Sequence, residues 1–442
     1  MNICIIGGGG GASNAANQIR ILDKQARIDI FTNRDDIGNL PCEIPYVLNG
    51  TLPTWESIFT FKEKFYKERN IEVHLNSEVT GINLKDKLLV VGDKSYHYDK
   101  AILDLGSTPI IPPIPGLDGY NEFVLTTWTK HGKIFEQAIP KYKRAAVIGA
   151  GQIALEVAEM LQLKGYEQVY LLGRSDQVLR AYFDADMAAM MEKAARDKGI
   201  EVILPAGIEK VATVNGHKVI TLKDREITVD LVFLGVGAAP NTELAKKAGI
   251  SLGKTGAIAV NEYLQTSDPD IFAIGDCMEN RERVTGSSIV YQTAANSATT
   301  GRVAARNLML GNVTVFPGTT LAFVTECFGR QAGTVGLTSS RAREKGIDFI
   351  ASTTVSAARR RLFGGKTMHI KLIADRATRT LAGAQLIGEE LVAGKIDKLS
   401  VAVAEKITTD RLALIDTCYS PTVGAAYDAL TMALDDLNAK LG

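Results

Sequence analysis

Two segments of the chain share one design, and this repeated design constrains the fold more than any other feature. In each segment an apolar strand runs into a glycine-rich turn, and an amphipathic helix and a second apolar strand follow. The segments read NICIIGGGGGASNAANQIRILDKQARIDIFT, from Asn2 to Thr32, and RAAVIGAGQIALEVAEMLQLKGYEQVYLLGR, from Arg144 to Arg174. This order is typical of a βαβ unit, in which a helix packed on the sheet joins two parallel strands.

Both turns match the glycine pattern of a dinucleotide-binding fold. In that pattern the first glycine makes a tight turn, the second lets the backbone approach a pyrophosphate, and a small third residue packs the helix on the strand. The positive N-terminus of the helix would hold the pyrophosphate. The matching residues are Gly7, Gly9 and Ala12 in the first unit and Gly149, Gly151 and Ala154 in the second.

Neither unit has the acidic residue expected at the end of its second strand, where it accepts the adenosine ribose hydroxyls. Thr32 and Asn33 occupy this place in the first unit, and we expect them to bond the ribose as neutral groups. Gly173 and Arg174 occupy it in the second unit. A small residue followed by arginine suits a 2′-phosphate, with Arg180 as a further cation, so NADPH is a candidate coenzyme. The alternative is that Arg174 is a solvated residue at a strand end.

Changes in composition divide the 442 residues into domains, because a chain of this length exceeds what one core usually serves. The proline-rich stretch PIIPPIPG marks a connector near residues 107–118, and the turn GVGAAPNTEL follows the second unit. From about residue 323 the pattern reads as antiparallel strands followed by helices. The sequence predicts an α/β protein with two Rossmann-like domains, residues 1–118 with 247–322 and residues 119–246, and a C-terminal α+β domain, residues 323–442.

Charge and cysteine usage disfavour several classes of protein. Lys and Arg total 50, as do Asp and Glu, which argues against nucleic-acid or anionic-membrane partners. The N-terminus enters a strand directly, without a cationic leader or long apolar span, so we expect a cytoplasmic location. The five cysteines form neither a CxxC pair nor a metal-like cluster, so the sequence predicts no metal site and no disulfide scaffold.

Four further stretches resemble motifs of the pyridine nucleotide-disulfide oxidoreductases. CEIPYVLNG resembles the redox-cysteine motif of the single-cysteine branch, commonly CGLPYYIGG-like, and YDKAILDLGSTPIIPPIPG resembles YDKLILATGAxPxxPPIPG. LGVGAAPNTEL resembles GVGxxPNT, and TSDPDIFAIGDC resembles TSxPxIYAxGD. The branch holds coenzyme A-disulfide reductases, NADH oxidases and peroxidases, and NAD(P)H-dependent persulfide reductases. The resemblance spans essentially the whole chain and implies FAD, NAD(P)H and a homodimer with a C-terminal dimerisation domain.

The resemblance also implies a set of ligand contacts. In the family the aspartate of the last motif, here Asp276, bonds the flavin ribityl chain, and the adenosine end of coenzyme A lies along the first helix. The implied cofactor-binding residues are Gly7, Gly9, Gly11, Ala12, Thr32, Asn33, Val79, Asp104, Gly106, Gly149, Gly151, Gln152, Ile153, Glu156, Gly173, Arg174, Gly237, Asp276 and Ala295. The implied substrate-binding residues are Asn14, Gln18, Arg20, Arg69, Arg302 and Tyr419.

Cys42 is the candidate catalytic residue. A disulfide reductase passes two electrons from nicotinamide to flavin and then to sulfur, so it needs a thiolate beside the flavin. If a helix opens at Glu43, its N-terminus stabilises the thiolate and lowers the pKa of the Cys42 thiol. With no second cysteine nearby, Cys42 would form a mixed disulfide or persulfide with a small thiol compound. The alternative is a buried, structural cysteine.

The other thiols carry weaker signals. We interpret Cys4, Cys277 and Cys327 as structural. Cys418 lies in CYSPT, which resembles the C-terminal stretch that reaches the partner's active site in the family, so a resolving or gating thiol and a buried one are both open.

Two departures from the family pattern reduce the number of activities that the resemblance leaves open. Branch members that reduce peroxide or oxygen to water carry a histidine in the first glycine turn, where this chain has Gly10. Coenzyme A-disulfide reductases carry tyrosines near the positions of Leu362 and Val423, and apolar residues there would suit a small leaving group such as hydrosulfide.

The sequence therefore predicts an FAD-dependent NAD(P)H oxidoreductase that reduces a low-molecular-weight disulfide, persulfide or polysulfide through Cys42. A coenzyme A derivative is one candidate substrate, and coenzyme A is a candidate bound cofactor. An NAD(P)H oxidase that produces peroxide and a redox-sensing flavoprotein are the alternatives.

Overall fold

The computed structural model describes all 442 residues, and the first glycine turn lies at the carboxyl end of its first strand. Apolar strands of the N-terminal part alternate with short helices and a small antiparallel sheet. The strands are β1 (Asn2–Ile6), β2 (Arg27–Phe31), β3 (Ile71–His74), β4 (Val79–Asn83), β5 (Leu88–Val91), β6 (Lys94–His97), β7 (Lys100–Leu103) and β8 (Ser107–Pro109). The helices are α1 (Gly10–Leu22), α2 (Ile44–Asn49) and α3 (Glu63–Glu68).

The middle of the chain repeats the βαβ arrangement around the second glycine turn. Its helices are α4 (Thr129–Ala138), α5 (Gln152–Leu163) and α6 (Ala185–Asp197). Its strands are β9 (Arg144–Ile148), β10 (Gln168–Leu172), β11 (Glu201–Ile203), β12 (Lys210–Val214), β13 (His217–Thr221), β14 (Glu226–Val229), β15 (Leu231–Leu234) and β16 (Ala238–Pro240). The segment that follows contains α7 (Glu243–Lys247), β17 (Ile271–Ala273), β18 (Asn280–Arg281), β19 (Ser288–Ile289) and α8 (Ala294–Leu310).

The C-terminal part is an antiparallel sheet covered by helices. Its strands are β20 (Phe323–Cys327), β21 (Arg330–Gly336), β22 (Phe349–Ala357), β23 (Thr367–Asp375) and β24 (Leu381–Gly388). Its helices are α9 (Ser339–Glu344), α10 (Val392–Ala404), α11 (Thr409–Ala413) and α12 (Ala429–Leu441). The strand order is β20-β21-β24-β23-β22, and α10 and α12 pack on this sheet over a separate apolar core.

Two parallel sheets determine where the candidate nucleotide sites lie. The first has the order β17-β7-β1-β2-β3, so residues 271–273 complete a sheet begun at the N-terminus. The second has the order β11-β10-β9-β15. In both sheets the glycine turn follows a central strand, where the carboxyl ends of parallel strands leave room for a ligand.

The chain enters and leaves the middle unit side by side. β8, at the proline-rich connector, pairs in antiparallel fashion with β16, so the two crossings form one short ribbon. The α/β fold class predicted from the sequence is confirmed, and the sheets favour the domain limits given above, which we keep as a proposal. None of the helices combines the length and the apolar composition that crossing a bilayer requires.

The crossing of α1 and α8 needs a glycine. A Cβ on Gly301 would lie 2.5 Å from the Gly11 carbonyl oxygen, which is backbone and cannot move aside independently. Gly394 of α10 is exposed, and a Cβ there would have no neighbour within 4 Å.

We therefore expect Gly301→Ala to lower the free energy of unfolding by roughly 1–3 kcal/mol, because overpacking forces the helices apart. The matched control, Gly394→Ala, should be neutral or slightly stabilising because alanine favours the helix. Urea unfolding followed by circular dichroism measures both changes. Equal shifts of the two variants would contradict the proposed close crossing.

Candidate active site

Cys42 lies where the two dinucleotide folds meet. It occupies a short 3-10 turn, Pro41–Glu43, that leads into α2, and α2 packs against α5 of the second fold. The Cys42 side chain is exposed, although protein surrounds it on most sides, as on the floor of a cleft. Cys418 is the one other exposed thiol, while Cys4, Cys277 and Cys327 are buried.

The surroundings of Cys42 correct the predicted direction of its pKa. Burial raises the pKa of this thiol, and the carboxylates of Glu156 and Asp276 raise it further. The helix that follows has only six residues and does not offset these effects. The protein groups around Cys42 therefore favour a neutral thiol at rest.

Glu156, whose charge acts on the Cys42 thiol, is hydrogen-bonded to the C-terminal domain. Its carboxylate accepts hydrogen bonds from the Gln152 side-chain amide at 2.9 Å and from the Thr325 hydroxyl of β20 at 2.8 Å. Burial raises the pKa of Glu156. Cys327, two residues after Thr325, is buried, and its pKa is raised well above the ordinary value by burial, Glu159 and Glu156.

The first glycine turn fits the pyrophosphate of FAD. Gly7 has φ +119°, and a Cβ there would lie 1.9 Å from the Asp104 carbonyl oxygen, so only glycine is accommodated. A Cβ at Gly10, in the first turn of α1, would meet nothing within 4 Å, which leaves the helix N-terminus open to an anion. Gly11 and Ala12 follow in the same turn, and both are buried.

Asp276 and Thr32 offer acceptors to the remainder of a flavin nucleotide. The Asp276 carboxylate accepts from the hydroxyls of Ser107 at 3.0 Å and Ser297 at 3.4 Å, and it is only partly buried. Thr32 is buried beside Gly8, and its hydroxyl accepts from the Arg34 backbone amide at 3.3 Å. These acceptors suit the hydroxyl groups of a bound FAD.

The second turn has the same construction. Gly149 has φ +132°, and a Cβ there would lie 2.2 Å from the Gly235 carbonyl oxygen, whereas Gly151 is open. α5 begins directly after it at Gln152, and Ile153 is 40% exposed in the first turn. These residues fit the pyrophosphate of a nicotinamide nucleotide.

The end of β10 is crowded by side chains at Gly173. A Cβ on Gly173 would lie 2.2 Å from Leu204 Cδ2 and 2.8 Å from the Ala150 Cβ. Arg174 next to it is exposed, and Arg180 is exposed and pairs with Asp176 at 2.6 Å.

The remaining candidate cofactor residues lie around the two turns. Gly106 and Gly237 adopt positive φ with open space around them, Asn33 and Ala295 are exposed, and Val79 is buried in β4. Their contacts with a nucleotide stay a prediction.

Arg20 requires a correction among the candidate substrate residues. Only 6% of Arg20 is exposed, and its guanidinium donates to the backbone carbonyls of Arg69 at 2.6 Å, Asn70 at 2.8 Å and Asp23 at 3.1 Å. These bonds hold α1 to the end of α3 and bury the guanidinium against backbone carbonyls.

The other candidate substrate residues are accessible to different degrees. Arg69 lies over the Phe65 ring, Asn14 donates to the Gly10 carbonyl, and Gln18 is partly exposed. Arg302 of α8 and Tyr419, near the C-terminus, are exposed.

Sequence analysis missed Arg34, which connects the first glycine turn to the segment carrying Cys42. Arg34 is 8% exposed, and it donates to the Gly8 carbonyl at 3.1 Å and to the Asn39 side chain at 3.0 Å. It also donates to the Thr127 carbonyl at 3.0 Å and pairs with Asp36 at 3.1 Å. The available signal in the sequence was an arginine immediately after Thr32 and Asn33, which replace the acidic residue.

Two nucleotide cradles that converge on one accessible cysteine define a flavoprotein reductase with a single redox thiol. Residues 1–301 match the model of pyridine nucleotide-disulphide oxidoreductases, and residues 327–430 match the dimerisation domain of the same family. The chain belongs to this family, as its motifs predicted, and is a flavin-dependent NAD(P)H oxidoreductase.

Similar proteins carry sulfur-reductase and oxidase names. An NADH oxidase of Methanocaldococcus jannaschii is 33% identical over 100% of this chain and 99% of its own length. A CoA-dependent NAD(P)H sulfur oxidoreductase of Pyrococcus abyssi is 30% identical over 97% of this chain and 96% of its own. The NAD-dependent persulfide reductase of A. fulgidus has a TM-score of 0.95 and 31% identity and covers 100% of this chain and 83% of its own.

An engineered relative bears on the coenzyme. A water-forming NADPH oxidase bound to NADPH, made from a Lactobacillus brevis NADH oxidase, has a TM-score of 0.94 and 27% identity and covers 100% of this chain and 99% of its own. Four of its five substitutions introduce alanine, arginine and serine at three consecutive positions and a second arginine five positions later.

The electrostatics of Cys42 give a direct prediction. In a Cys418→Ser background, we expect Glu156→Gln to lower the pKa of the Cys42 thiol, because one of the charges that raise it is removed. The rate of iodoacetamide alkylation as a function of pH measures this change.

Cys42→Ser in the same background provides the control and should abolish the reaction. An unchanged or raised pKa in Glu156→Gln would contradict the assignment of Glu156 as a neighbour that opposes the thiolate.

Proposed function

We propose that the protein reduces the S–S bond of a small sulfur compound, a persulfide, polysulfide or disulfide of coenzyme A, through Cys42. The observation that carries this proposal is the position of an accessible thiol, with no second cysteine beside it, between two dinucleotide cradles. A lone thiol cannot form an internal disulfide, so its reaction partner must supply the second sulfur.

The proposed reaction balances with one nicotinamide nucleotide for each S–S bond. The Cys42 sulfur attacks one substrate sulfur, so that a Cys42–S bond forms as the substrate S–S bond breaks and a thiolate or hydrosulfide leaves. An FAD bound at the first glycine turn would pass on the two electrons that NAD(P)H delivers as hydride, and one proton from solvent completes the balance. These electrons break the new S–S bond, release the second sulfur group and return Cys42 to its reduced state.

The neutral thiol favoured at rest must lose its proton before it attacks, since the thiolate is the nucleophile. On the C-terminal domain the apolar side chains of Leu362 and Val423 are 80% and 65% exposed and have no proton to donate to a leaving group. The phenol of Tyr419, which is 47% exposed, has one. Their exposure, together with the match to a dimerisation domain, supports a homodimer.

The accessible, unpaired Cys42 and Cys418 support a reducing, cytoplasmic location.

The alternative function is that of an NAD(P)H oxidase, because one similar protein is named an NADH oxidase. Gly10 favours the sulfur reductase, because no histidine or other side chain occupies that point of the turn to serve peroxide or oxygen.

We expect Cys42→Ser to lower sulfur-dependent reoxidation of the NAD(P)H-reduced protein at least about a hundredfold, because the thiol carries the group transfer. Anaerobic flavin absorbance after mixing with coenzyme A persulfide, coenzyme A disulfide or polysulfide measures it. Cys418→Ser is the matched control and should retain the reaction. Sulfur-dependent reoxidation that persists in Cys42→Ser would contradict the role of Cys42. Reoxidation of wild type by air, with no response to any sulfur compound, would favour the oxidase.

We propose NADPH as the preferred coenzyme. Gly173, Arg174, Ser175 and Arg180 reproduce the spacing of the substitutions in the engineered NADPH oxidase, with glycine in place of alanine. The crowding at Gly173 supports the same preference, because it excludes the acid that would select the unphosphorylated ribose.

For Arg174→Ala we expect kcat/KM for NADPH to fall roughly tenfold or more while kcat/KM for NADH changes little, since the guanidinium pairs with the 2′-phosphate. Arg180→Ala should act in the same direction. Lys193→Ala, an exposed cation on α6 of the same domain, is the control. Equal losses with both coenzymes would show that Arg174 does not read the phosphate.

A further inference from the structure

Asp104 is a buried carboxyl directly beneath the first glycine turn. It follows β7, and only 7% of it is exposed. Its Oδ2 accepts a hydrogen bond from the Ala12 backbone amide at 2.8 Å. A Cβ on Gly9 would lie 2.9 Å from Oδ2, and a Cβ on Gly11 would lie 2.8 Å from Oδ1, so this carboxyl touches the turn along its length.

The hydrogen bond from Ala12 to Asp104 uses one of the backbone amides at the N-terminus of α1, and these are the amides that attract a pyrophosphate. The first amides of a helix have no partner within the helix and form its positive end. No side chain caps α1 at Gly9, and Asp104 instead satisfies Ala12 from the protein interior. The stretch ILDLG thus places an acid where the family motif quoted above, ILATG, has alanine.

The groups that face Asp104 carry both signs of charge. The Asp276 carboxylate opposes its ionisation, whereas the Arg34 guanidinium and the amides of Ala12 and Gly9 favour it. Burial outweighs these groups and raises the pKa of Asp104 to about 7. Arg34 is already paired with Asp36, which limits its help.

We propose that Asp104 sets how tightly the protein holds FAD, because its charged form opposes the pyrophosphate at the N-terminus of α1 and its neutral form does not. Bound pyrophosphate adds negative charge near Asp104 and so favours the protonated carboxyl. By linkage, FAD affinity is highest below the pKa of the free protein and falls as pH rises above it. The inference holds whichever sulfur compound Cys42 reduces.

The test uses the full chain after removal of FAD, titrated with FAD and followed by flavin fluorescence. For wild type we expect Kd to rise roughly tenfold between about pH 6 and about pH 8.5. In Asp104→Asn the dependence should flatten, and Kd at the higher pH should fall below that of wild type. If Asp104→Asn does not fold, Asp104→Ala replaces it in the test, because alanine is the residue of the family motif. We expect the same flattened pH dependence for this variant.

Asp93→Asn is the matched control, because Asp93 is exposed in the turn between β5 and β6, and it should follow wild type. A flat pH dependence in wild type would overturn the proposal without any variant. The same slope in a folded Asp104 variant as in wild type would also overturn it. Because the readout is FAD binding, it is independent of the sulfur-reduction assay.

Discussion

The rest of the structure depends on a close contact between the backbone of each glycine turn and the neighbouring strand of its sheet. Gly7 lies against the carbonyl of Asp104, and Gly149 lies against that of Gly235. Each contact brings a helix N-terminus to the carboxyl edge of a parallel sheet, where its free amides attract a phosphate. Cys42 lies between these two edges, since the segment that carries it leads into α2, which packs on α5 of the second fold.

The residues whose roles follow from local backbone geometry were predictable from sequence. Gly7 and Gly149 have glycine-specific φ values, and the strand–turn–helix order around them determines the α/β fold class. Two hairpins of the C-terminal sheet, β20–β21 and β23–β24, also followed from local patterning, because a short turn joins the strands of each pair. In these cases residues near in sequence are near in space.

Side-chain roles that depend on distant partners were not predictable. Arg20 was assigned to a ligand, yet carbonyls at the end of α3 occupy its guanidinium. The pKa of Cys42 was expected to fall because a helix follows it, yet burial and the carboxylates of Glu156 and Asp276 raise it. Those carboxylates come from other parts of the chain, more than a hundred residues away. Pattern and spacing carry no information on such long-range electrostatics.

The ribbon formed by β8 and β16 has a consequence for biosynthesis. Because the middle unit is inserted through this ribbon, the first sheet lacks β17, and α1 lacks its packing partner α8, until Leu310 has been made. The middle unit is continuous in sequence and can close its own sheet earlier. On a ribosome-bound chain all four strands of the second sheet are therefore made before β17 and α8, which complete the first sheet and cover α1.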